Sequence, residues 1–311
     1  MTYVCLFFLF FRWKGFVTVL PNDGEKIRFD GHAKQIKAPF IIYADFECKL
    51  VPINETVEGA KTRKKHKHVP SSFAYLIKCS FDESLDHFEI FRGEDCGQQF
   101  VQSLTEKIKT LYETHVFNKK VRLKMSASEL SDFEEQWICH ICRKPILSAR
   151  DKERDHCHLT GNYRGCAHKK CNTKFRLNHE VSVIFHNFSK YDSHLFIKEL
   201  TALESNQNIH IIPSNTETYV AVSKSVKLQS LLTAAEPSPK RQKTGKKTEK
   251  QRQKQVYLRN IYKDSFRFLS ASIDSLSKSL DPDTDFKNLQ KYFPSNSEML
   301  KRKGIFFLIL E

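Results

Sequence analysis

The sequence lacks any apolar run long enough to cross a membrane. Its two most apolar stretches are residues 4–11 and 304–311, whereas a membrane-spanning helix needs roughly 20 residues. No basic segment precedes residues 4–11, as it would in a secretory signal peptide. We therefore expect no membrane partner and no secretion, and we interpret both stretches as the cut edges of a larger arrangement.

A disulfide pattern is also missing. Of nine cysteines, five fall between residues 139 and 171, among four histidines, which is typical of a metal site rather than of a disulfide framework. The other four are scattered in apolar or mixed surroundings, where a free thiol behaves as a small hydrophobic group. This cysteine usage predicts a reducing, intracellular compartment.

Positive charge, by contrast, is in excess. The formal net charge is +15 and the isoelectric point is about 9.3, so the protein should attract polyanions such as the phosphate backbone of DNA. A length of 311 residues is enough for one large α/β domain and one small inserted domain. Charge supports a nucleic-acid partner but specifies no chemistry.

Alternating strand and helix patterns predict an α/β fold that the Cys/His segment interrupts. Phe100, Leu104, Ile108 and Leu111 form one apolar helical face. A second helix is predicted over residues 192–203, with Leu195, Phe196 and Ile197 facing inward. Strands are predicted at residues 39–47, 72–79, 87–92, 181–185, 209–212, 219–222 and 256–262, with residues 81–86 as a hairpin turn.

Residues 236–255 have almost no apolar side chains and hold eight Lys/Arg against two Glu. Such a segment cannot bury a core, so we predict a disordered loop. It is typical of a nuclear import signal, of a phosphate-binding arm or of a solvated insertion. The first of these would place the protein in the nucleus.

Three carboxylates predict a site for divalent cations. Asp45 and Glu47 stand two apart on a strand, so both project from the same face, within reach of Mg²⁺ or Mn²⁺. Asp192 follows a second apolar run at a strand-to-helix junction, and two-ion hydrolysis of a phosphodiester needs several such oxygen ligands. The alternatives are ordinary exposed strand positions for the pair and a helix N-cap for Asp192.

The Cys/His segment predicts a structural zinc site. Cys139 and Cys142 form one ligand pair, and His168 and Cys171 form another with the same spacing, as a tetrahedral zinc site requires. Cys166 is an alternative to His168, which we favour because its spacing to Cys171 mirrors the first pair. The competing interpretation is a chance cluster of buried cysteines.

The sequence IYADFE around Asp45 resembles the first exonuclease motif of family B DNA polymerases, and HNFSKYD at residues 186–192 resembles the second. The resemblance implies a ribonuclease H-like fold and a 3′→5′ exonuclease that uses Asp45, Glu47 and Asp192 for its metals. It implies that Asn187 and Tyr191 seat a single-stranded 3′ end of DNA. The implied function is proofreading in DNA replication.

The resemblance runs from about Pro21 to Gly304, and its arrangement is most similar to protein-primed polymerases of Maverick/Polinton elements and related viruses. It implies a priming protein as a possible partner. The third exonuclease motif is expected beyond Gly304, and the polymerase palm is absent, so we expect a truncated exonuclease portion. The expected division is an N-terminal tail (1–20), an exonuclease domain in two parts (21–130 and 181–235), a zinc-binding insertion (131–180), the basic loop (236–255) and a C-terminal part (256–311).

Residues 155–165 and Asn172 resemble phage recombination endonuclease VII and its treble-clef relatives. The resemblance implies that Asp155 and Asn172 bind a catalytic metal and that His156 assists hydrolysis, with His158 beside them. A second, structure-selective endonuclease site is therefore conceivable. Three hypotheses follow: a proofreading exonuclease, a zinc-containing endonuclease, and a DNA-binding protein without catalysis.

Overall fold

The computed structural model of the chain describes residues 24, 35–53, 65–202, 209–229 and 255–301. The strands in these residues are β1 (Phe40–Pro52), β2 (His66–Cys79), β3 (His87–Arg92), β4 (Lys152–His156), β5 (Tyr163–His168), β6 (Glu180–Phe185), β7 (Ile209–Pro213), β8 (Tyr219–Lys227) and β9 (Tyr257–Asp264). The helices are α1 (Cys96–Tyr112), α2 (Ala127–Glu135), α3 (Lys169–Lys174), α4 (Ser193–Ala202), α5 (Ile273–Ser277), α6 (Lys287–Tyr292) and α7 (Ser297–Leu300).

Seven strands form one mixed sheet in the order β3-β2-β1-β6-β9-β8-β7. β6 is parallel to both β1 and β9, and the remaining pairs are antiparallel. β1 and β6 are neighbours although α1, α2, β4, β5, α3 and the Cys/His segment lie between them in the chain. The carboxyl ends of β6 and β9 therefore open at one edge of the sheet, beside the middle of the longer β1.

The core of the sheet explains why β1 forms and how it is oriented. Phe40, Ile42, Ala44 and Phe46 are buried, and because side chains alternate along a strand, the residues between them project from the other face. Phe46 stacks on Phe196 of α4, with ring centroids 5.6 Å apart. This alternation places Asp45 and Glu47 on the same open face.

Helix α1 covers the sheet largely as predicted. Phe100, Leu104 and Ile108 are fully buried, whereas Leu111 is only partly buried and Tyr112 takes the next buried position. The shift arises because a helix has 3.6 residues per turn, so the apolar stripe continues at the fourth residue after Ile108 rather than the third.

Residues 136–178, which include the Cys/His segment, build a small module that contains the two-stranded sheet β4-β5. We call it the Cys/His module. A separate apolar cluster lies inside it, formed by Cys139, Ile141, Ile146, Cys166, Ala167 and Phe175. Gly165 adopts a φ of +141°, and a Cβ there would lie 3.0 Å from the ring of His140. A glycine is therefore required where β5 passes His140.

All the predicted strands are confirmed, with changes at their ends. β2 begins at His66 rather than Ser72, because β1 and β2 continue past a bulge at Glu47/Cys48, where Ser71 is the extra residue and Pro70 pairs with Cys48. The predicted hairpin turn contains a 3₁₀ turn, Glu83–Leu85. In α4 the buried side chains are Phe196 and Leu200, and Leu195 and Ile197 pack against the core while partly exposed.

Predictions for residues 4–11 and 304–311, and for the loop as far as residue 254, lie outside the described residues. Within the residues that the structure describes, no helix is long and apolar enough to cross a membrane.

Candidate functional site

The first candidate site lies where β6 ends beside β1. β6 stops at Phe185, and Tyr43 of β1 pairs with Ile184, so Asp45 and Glu47 stand just beyond the end of β6. The chain that follows β6 folds back over this edge and brings Asp192 to the start of α4. Two segments far apart in sequence thus contribute carboxylates to one edge, where open α/β sheets commonly bind ligands.

Asp192 is only 2 % exposed, and its Oδ1 atom is buried without a hydrogen-bond partner. Burial raises the pKa of Asp192 to about 7, the charges of Asp45 and Asp264 add to the effect, and the backbone N–H groups of Asp192 and Phe46 lower it. An unpartnered buried carboxylate oxygen is costly unless a cation or a proton neutralises it.

The residue Asp45 as a whole is exposed to solvent, yet burial of its carboxyl group raises its pKa to about 6. The nearby charge of Glu47 raises it further, whereas a backbone hydrogen bond at Phe46 and the ring of His186 lower it. The pKa of Glu47 is also raised, by burial. The charge of Asp45 in turn contributes to the raised pKa of Asp192.

The three carboxylates do not converge on one point. In the described part of the chain, the sole set of three or more Cys, His, Asp or Glu ligand atoms that all lie within 4.8 Å of one another is the Cys/His cluster. A single ion held by Asp45, Glu47 and Asp192 together therefore does not suit this arrangement. A pair of ions about 4 Å apart would divide the carboxylates between them.

Asp264 holds the segment that carries Asp192, and sequence reasoning assigned it no role. Its carboxylate is 4 % exposed and accepts hydrogen bonds from the backbone N–H groups of Asn187, Ser189 and Phe266, each at 2.9 Å. Burial alone would raise the pKa of Asp264, but these donors lower it. The sequence signal is weak, because Asp264 follows the predicted strand 256–262 by two residues without any pattern that assigns it a role.

Asn187 has a φ of +78°, a backbone conformation that L residues rarely adopt and that Asn tolerates better than most. Its side chain has no hydrogen-bond partner among the described residues, so its amide is available to a ligand. The hydroxyl of Tyr191 lies 2.7 Å from Nδ1 of His68 on β2. Burial and the neighbouring Cys48 thiol raise the pKa of Tyr191, so this hydroxyl stays protonated.

The second candidate site is the Cys/His cluster. The sulfur atoms of Cys139, Cys142 and Cys171 and one ring nitrogen of His168 all lie within 4.8 Å of one another. Nδ1 of His168 lies 3.4 Å from the sulfur of Cys142 and 3.8 Å from that of Cys171. Three soft sulfur ligands and one imidazole form a set that could hold zinc in tetrahedral geometry.

Backbone groups around this cluster favour the thiolate form of Cys139 and orient the ring of His168. Burial opposes ionisation of Cys139, but backbone N–H groups of Cys142, His168 and Ile141 donate toward its sulfur and the pKa falls to about 6. Nε2 of His168 lies 3.1 Å from the Pro145 carbonyl oxygen, to which it donates when protonated. That bond directs Nδ1 toward the sulfurs, in the manner of an outer-shell partner of a metal ligand.

Cys166, the alternative to His168, points elsewhere. Its thiol donates to the Ile138 carbonyl oxygen at 3.2 Å, and its residue is 3 % exposed within the small apolar cluster. Burial raises its pKa, so it remains a thiol. The structure therefore places Cys166 in the core of the module and His168 in the cluster.

The residues that resemble an endonuclease site are only partly together. Both carboxylate oxygens of Asp155 are engaged inside the module, by Nε2 of His140 at 2.8 Å and by Nη2 of Arg164 at 2.7 Å. Asp155 is completely buried, and these partners outweigh burial and lower its pKa. The partners of Asp155, His140 and Arg164, are residues whose roles the sequence did not reveal.

His156 and His158 lie side by side, with ring centroids 4.7 Å apart. Burial lowers the pKa of His158, and the charge of His156 lowers it further. Asn172 lies on α3, one residue after Cys171, and its side chain makes no hydrogen bond to the residues that the structure describes. The histidines are thus adjacent, while Asp155 is turned toward the interior.

Comparisons with known proteins bear on this module. No curated protein and no solved structure matches the chain. Residues 113–191 match the family model of recombination endonuclease VII. This part of the chain, which holds the Cys/His cluster and the residues from Asp155 to Asn172, is an endonuclease VII-like domain of nuclease type.

Proposed function

We propose that the chain is the 3′→5′ exonuclease portion of a family B, protein-primed-type DNA polymerase, built on a ribonuclease H-like sheet with the endonuclease VII-like module inserted in it. The observation that carries the proposal is the buried Oδ1 of Asp192, which has no hydrogen-bond partner, in a carboxylate whose pKa the charge of Asp45 helps to raise. A nuclear location, for which only the basic segment 236–255 speaks, and a priming protein as partner, for which only the sequence resemblance speaks, are further parts of the proposal.

The donor set at this edge of the sheet suits hard divalent cations. Asp45, Glu47 and Asp192 offer carboxylate oxygens, which Mg²⁺ and Mn²⁺ prefer. The pKa values of Asp45 and Asp192 are raised by burial first and by a neighbouring carboxylate second. When bound, two such ions would activate water and stabilise the leaving oxygen of a phosphodiester. Asp45, Glu47 and Asp192 would hold them.

The chain's own side chains would seat the DNA end. Asn187 presents a free amide at the edge of the sheet, where it can donate to and accept from a nucleotide. The hydroxyl of Tyr191, fixed against His68, can donate to a phosphate oxygen. A 3′ end held by both would place its last phosphodiester over the carboxylates.

The experiment is digestion of a 5′-labelled single-stranded oligonucleotide in Mg²⁺, which gives a ladder of 3′-shortened products. We expect Asp45→Ala to reduce the rate by on the order of 10³-fold, because a lost metal ligand removes several kcal/mol of transition-state stabilisation. Glu94→Ala removes an exposed carboxylate from a loop before α1 and should leave the ladder unchanged. A ladder that persists in Asp45→Ala would refute the proposal.

A second candidate is a structure-selective endonuclease in the Cys/His module, favoured by the family match over residues 113–191 and by the adjacent rings of His156 and His158. Its weakness is Asp155, both of whose oxygens are already engaged. It requires nicking of branched DNA that is lost in Asn172→Ala or His156→Ala and kept in Asp45→Ala. DNA binding that weakens with salt, without cleavage in Mg²⁺ or Mn²⁺, would leave the third hypothesis, a binding protein without catalysis.

A further inference from the structure

A second face of the Cys/His module, away from Asp155 and the cluster, carries an open cavity of about 610 Å³. Its lining includes Lys152, Arg154 and His156 of β4 together with Phe133 and Trp137. Because side chains alternate along a strand, these three β4 residues share one face while Asp155 points to the opposite one. The cavity thus combines a row of cationic and imidazole groups with two aromatic rings.

The cations lie directly over the rings. Nζ of Lys152 is 4.1 Å from the ring centre of Trp137 and 4.7 Å from that of Phe133, and the guanidinium of Arg154 is 4.7 Å from the ring centre of Phe133. Trp137 is nevertheless 42 % exposed. An exposed indole with a flexible cation above it presents both a flat apolar surface and a charge to solvent.

Lys152 and Arg154 are not held in ion pairs by neighbouring acids. Lys152 donates to the backbone carbonyl of Glu134 at 3.1 Å, and no described carboxylate forms an ion pair with either cation, although Glu134 and Glu153 also line the cavity. Both charges therefore remain available to an external anion.

We propose that this face is a binding platform for single-stranded DNA, in which a base stacks on Trp137 and the flanking phosphates contact Lys152 and Arg154. Stacking on an exposed aromatic ring beside a cationic groove is how proteins grip single strands without reading sequence. The inference rests on the proposed function in taking DNA as the partner, but it concerns a surface separate from Asp45 and Asp192.

Trp137 can report its own occupancy, because the chain has two tryptophans, Trp13 and Trp137. Oligothymidylate of about 20 nucleotides is titrated into the zinc-loaded full chain without Mg²⁺ or Mn²⁺, so that no cleavage intervenes. We expect saturable quenching of tryptophan fluorescence in Trp13→Phe, whose only indole is Trp137, and little quenching in Trp137→Phe. Unchanged Trp137 emission at saturating DNA would overturn the proposal.

Affinity gives the second measurement. Trp137→Ala should weaken binding of the oligonucleotide by roughly 5- to 150-fold, the range for loss of one base stack, whereas Trp137→Phe retains a ring and most of the affinity. In the double variant Lys152→Ala/Arg154→Ala, the plot of log affinity against log salt should become shallower by the equivalent of about one to two phosphate contacts. Lys144→Ala, an exposed cation of the same module outside the cavity, should change much less.

Failure of this inference can be told apart from failure of the proposed function. If Trp137→Ala binds as the wild type does while Mg²⁺-dependent digestion depends on Asp45, the platform is wrong and the exonuclease proposal stands. If digestion does not depend on Asp45 but DNA quenches the fluorescence of Trp137, the exonuclease proposal is wrong and the platform stands.

Discussion

At the scale of single residues, the buried carboxylates differ in whether their charge has a partner. Asp155 and Asp264 are as deeply buried as Asp192, but each is satisfied by donors, and their pKa values are lowered. Asp192 is the exception, with an oxygen that has no partner and a pKa raised to about 7. Satisfied buried carboxylates stabilise a fold, whereas an unsatisfied one indicates a ligand.

Asp264→Asn tests whether this anchoring carboxylate positions the site. An amide cannot accept on both sides, so at least one backbone N–H bond of residues 187–189 is lost, and we expect a rate about 10- to 100-fold lower, as misplacement by about 1 Å produces. Asp264 also raises the pKa of Asp192. Carboxylates bind cations when deprotonated, so activity should fall as pH drops below about 7 in the wild type, and in Asp264→Asn this acidic limb should move to lower pH.

The rate of single-strand digestion in Mg²⁺, measured across pH 5–9, checks this prediction. Asp82→Asn is the matched control, because Asp82 likewise accepts from a backbone N–H, that of Ser84, but lies in the β2–β3 turn. A slower Asp264→Asn enzyme with an unmoved pH profile would mean that Asp264 acts only through folding.

At the scale of elements, the sequence predicted what depends on local pattern. Alternation around Phe46 and the apolar spacing in α1 were sufficient for the strands and the helix, and paired spacing was sufficient for the four residues of the Cys/His cluster. Contacts between residues far apart in the chain could not be predicted from the sequence. Asp264 meets Asn187 across 77 positions, and the orientation of Asp155 depends on His140 and Arg164, which no spacing rule selects.

Zinc removal is the prediction that belongs to the module as an element. Cys142→Ser should lose the metal, and since structural zinc supplies roughly 10 kcal/mol or more of folding free energy in small modules, residues 136–178 should become open to proteolysis. Cys166→Ala should keep one zinc per chain, because its thiol binds the Ile138 carbonyl and not the cluster. Metal content by atomic spectroscopy and limited proteolysis measure both.

Exonuclease activity should survive in Cys142→Ser, because the seven-stranded sheet and its own aromatic core position Asp45 and Asp192. Loss of zinc from Cys166→Ala with retention in His168→Ala would reverse the ligand assignment. Loss of digestion together with zinc would mean that the module supports the sheet.

At the scale of the whole molecule, the positive charge is concentrated in two segments. Residues 136–178 hold ten Lys/Arg and three Asp/Glu, and residues 236–255 hold eight and two. The remainder of the chain has 33 Lys/Arg against 31 Asp/Glu and is nearly neutral. Attraction to DNA should therefore originate in these two segments and not in the sheet that carries the three carboxylates.

Replacing the eight Lys/Arg of residues 236–255 by Gln lowers the formal net charge from +15 to +7 and tests this division. If the segment is a phosphate-binding arm, affinity for single-stranded DNA should fall by about 10-fold or more at 0.1 M salt. The plot of log affinity against log salt should become shallower by about 0.7 for each phosphate that the variant no longer neutralises. Turnover at saturating DNA should stay the same, because none of the three carboxylates belongs to residues 236–255. A variant with the same 20 residues in shuffled order should bind like the wild type, since counterion release depends on charge and not on sequence. An unchanged slope in the Gln variant would instead identify the segment as a solvated insertion or an import signal, and would leave the Cys/His module as the main electrostatic contact.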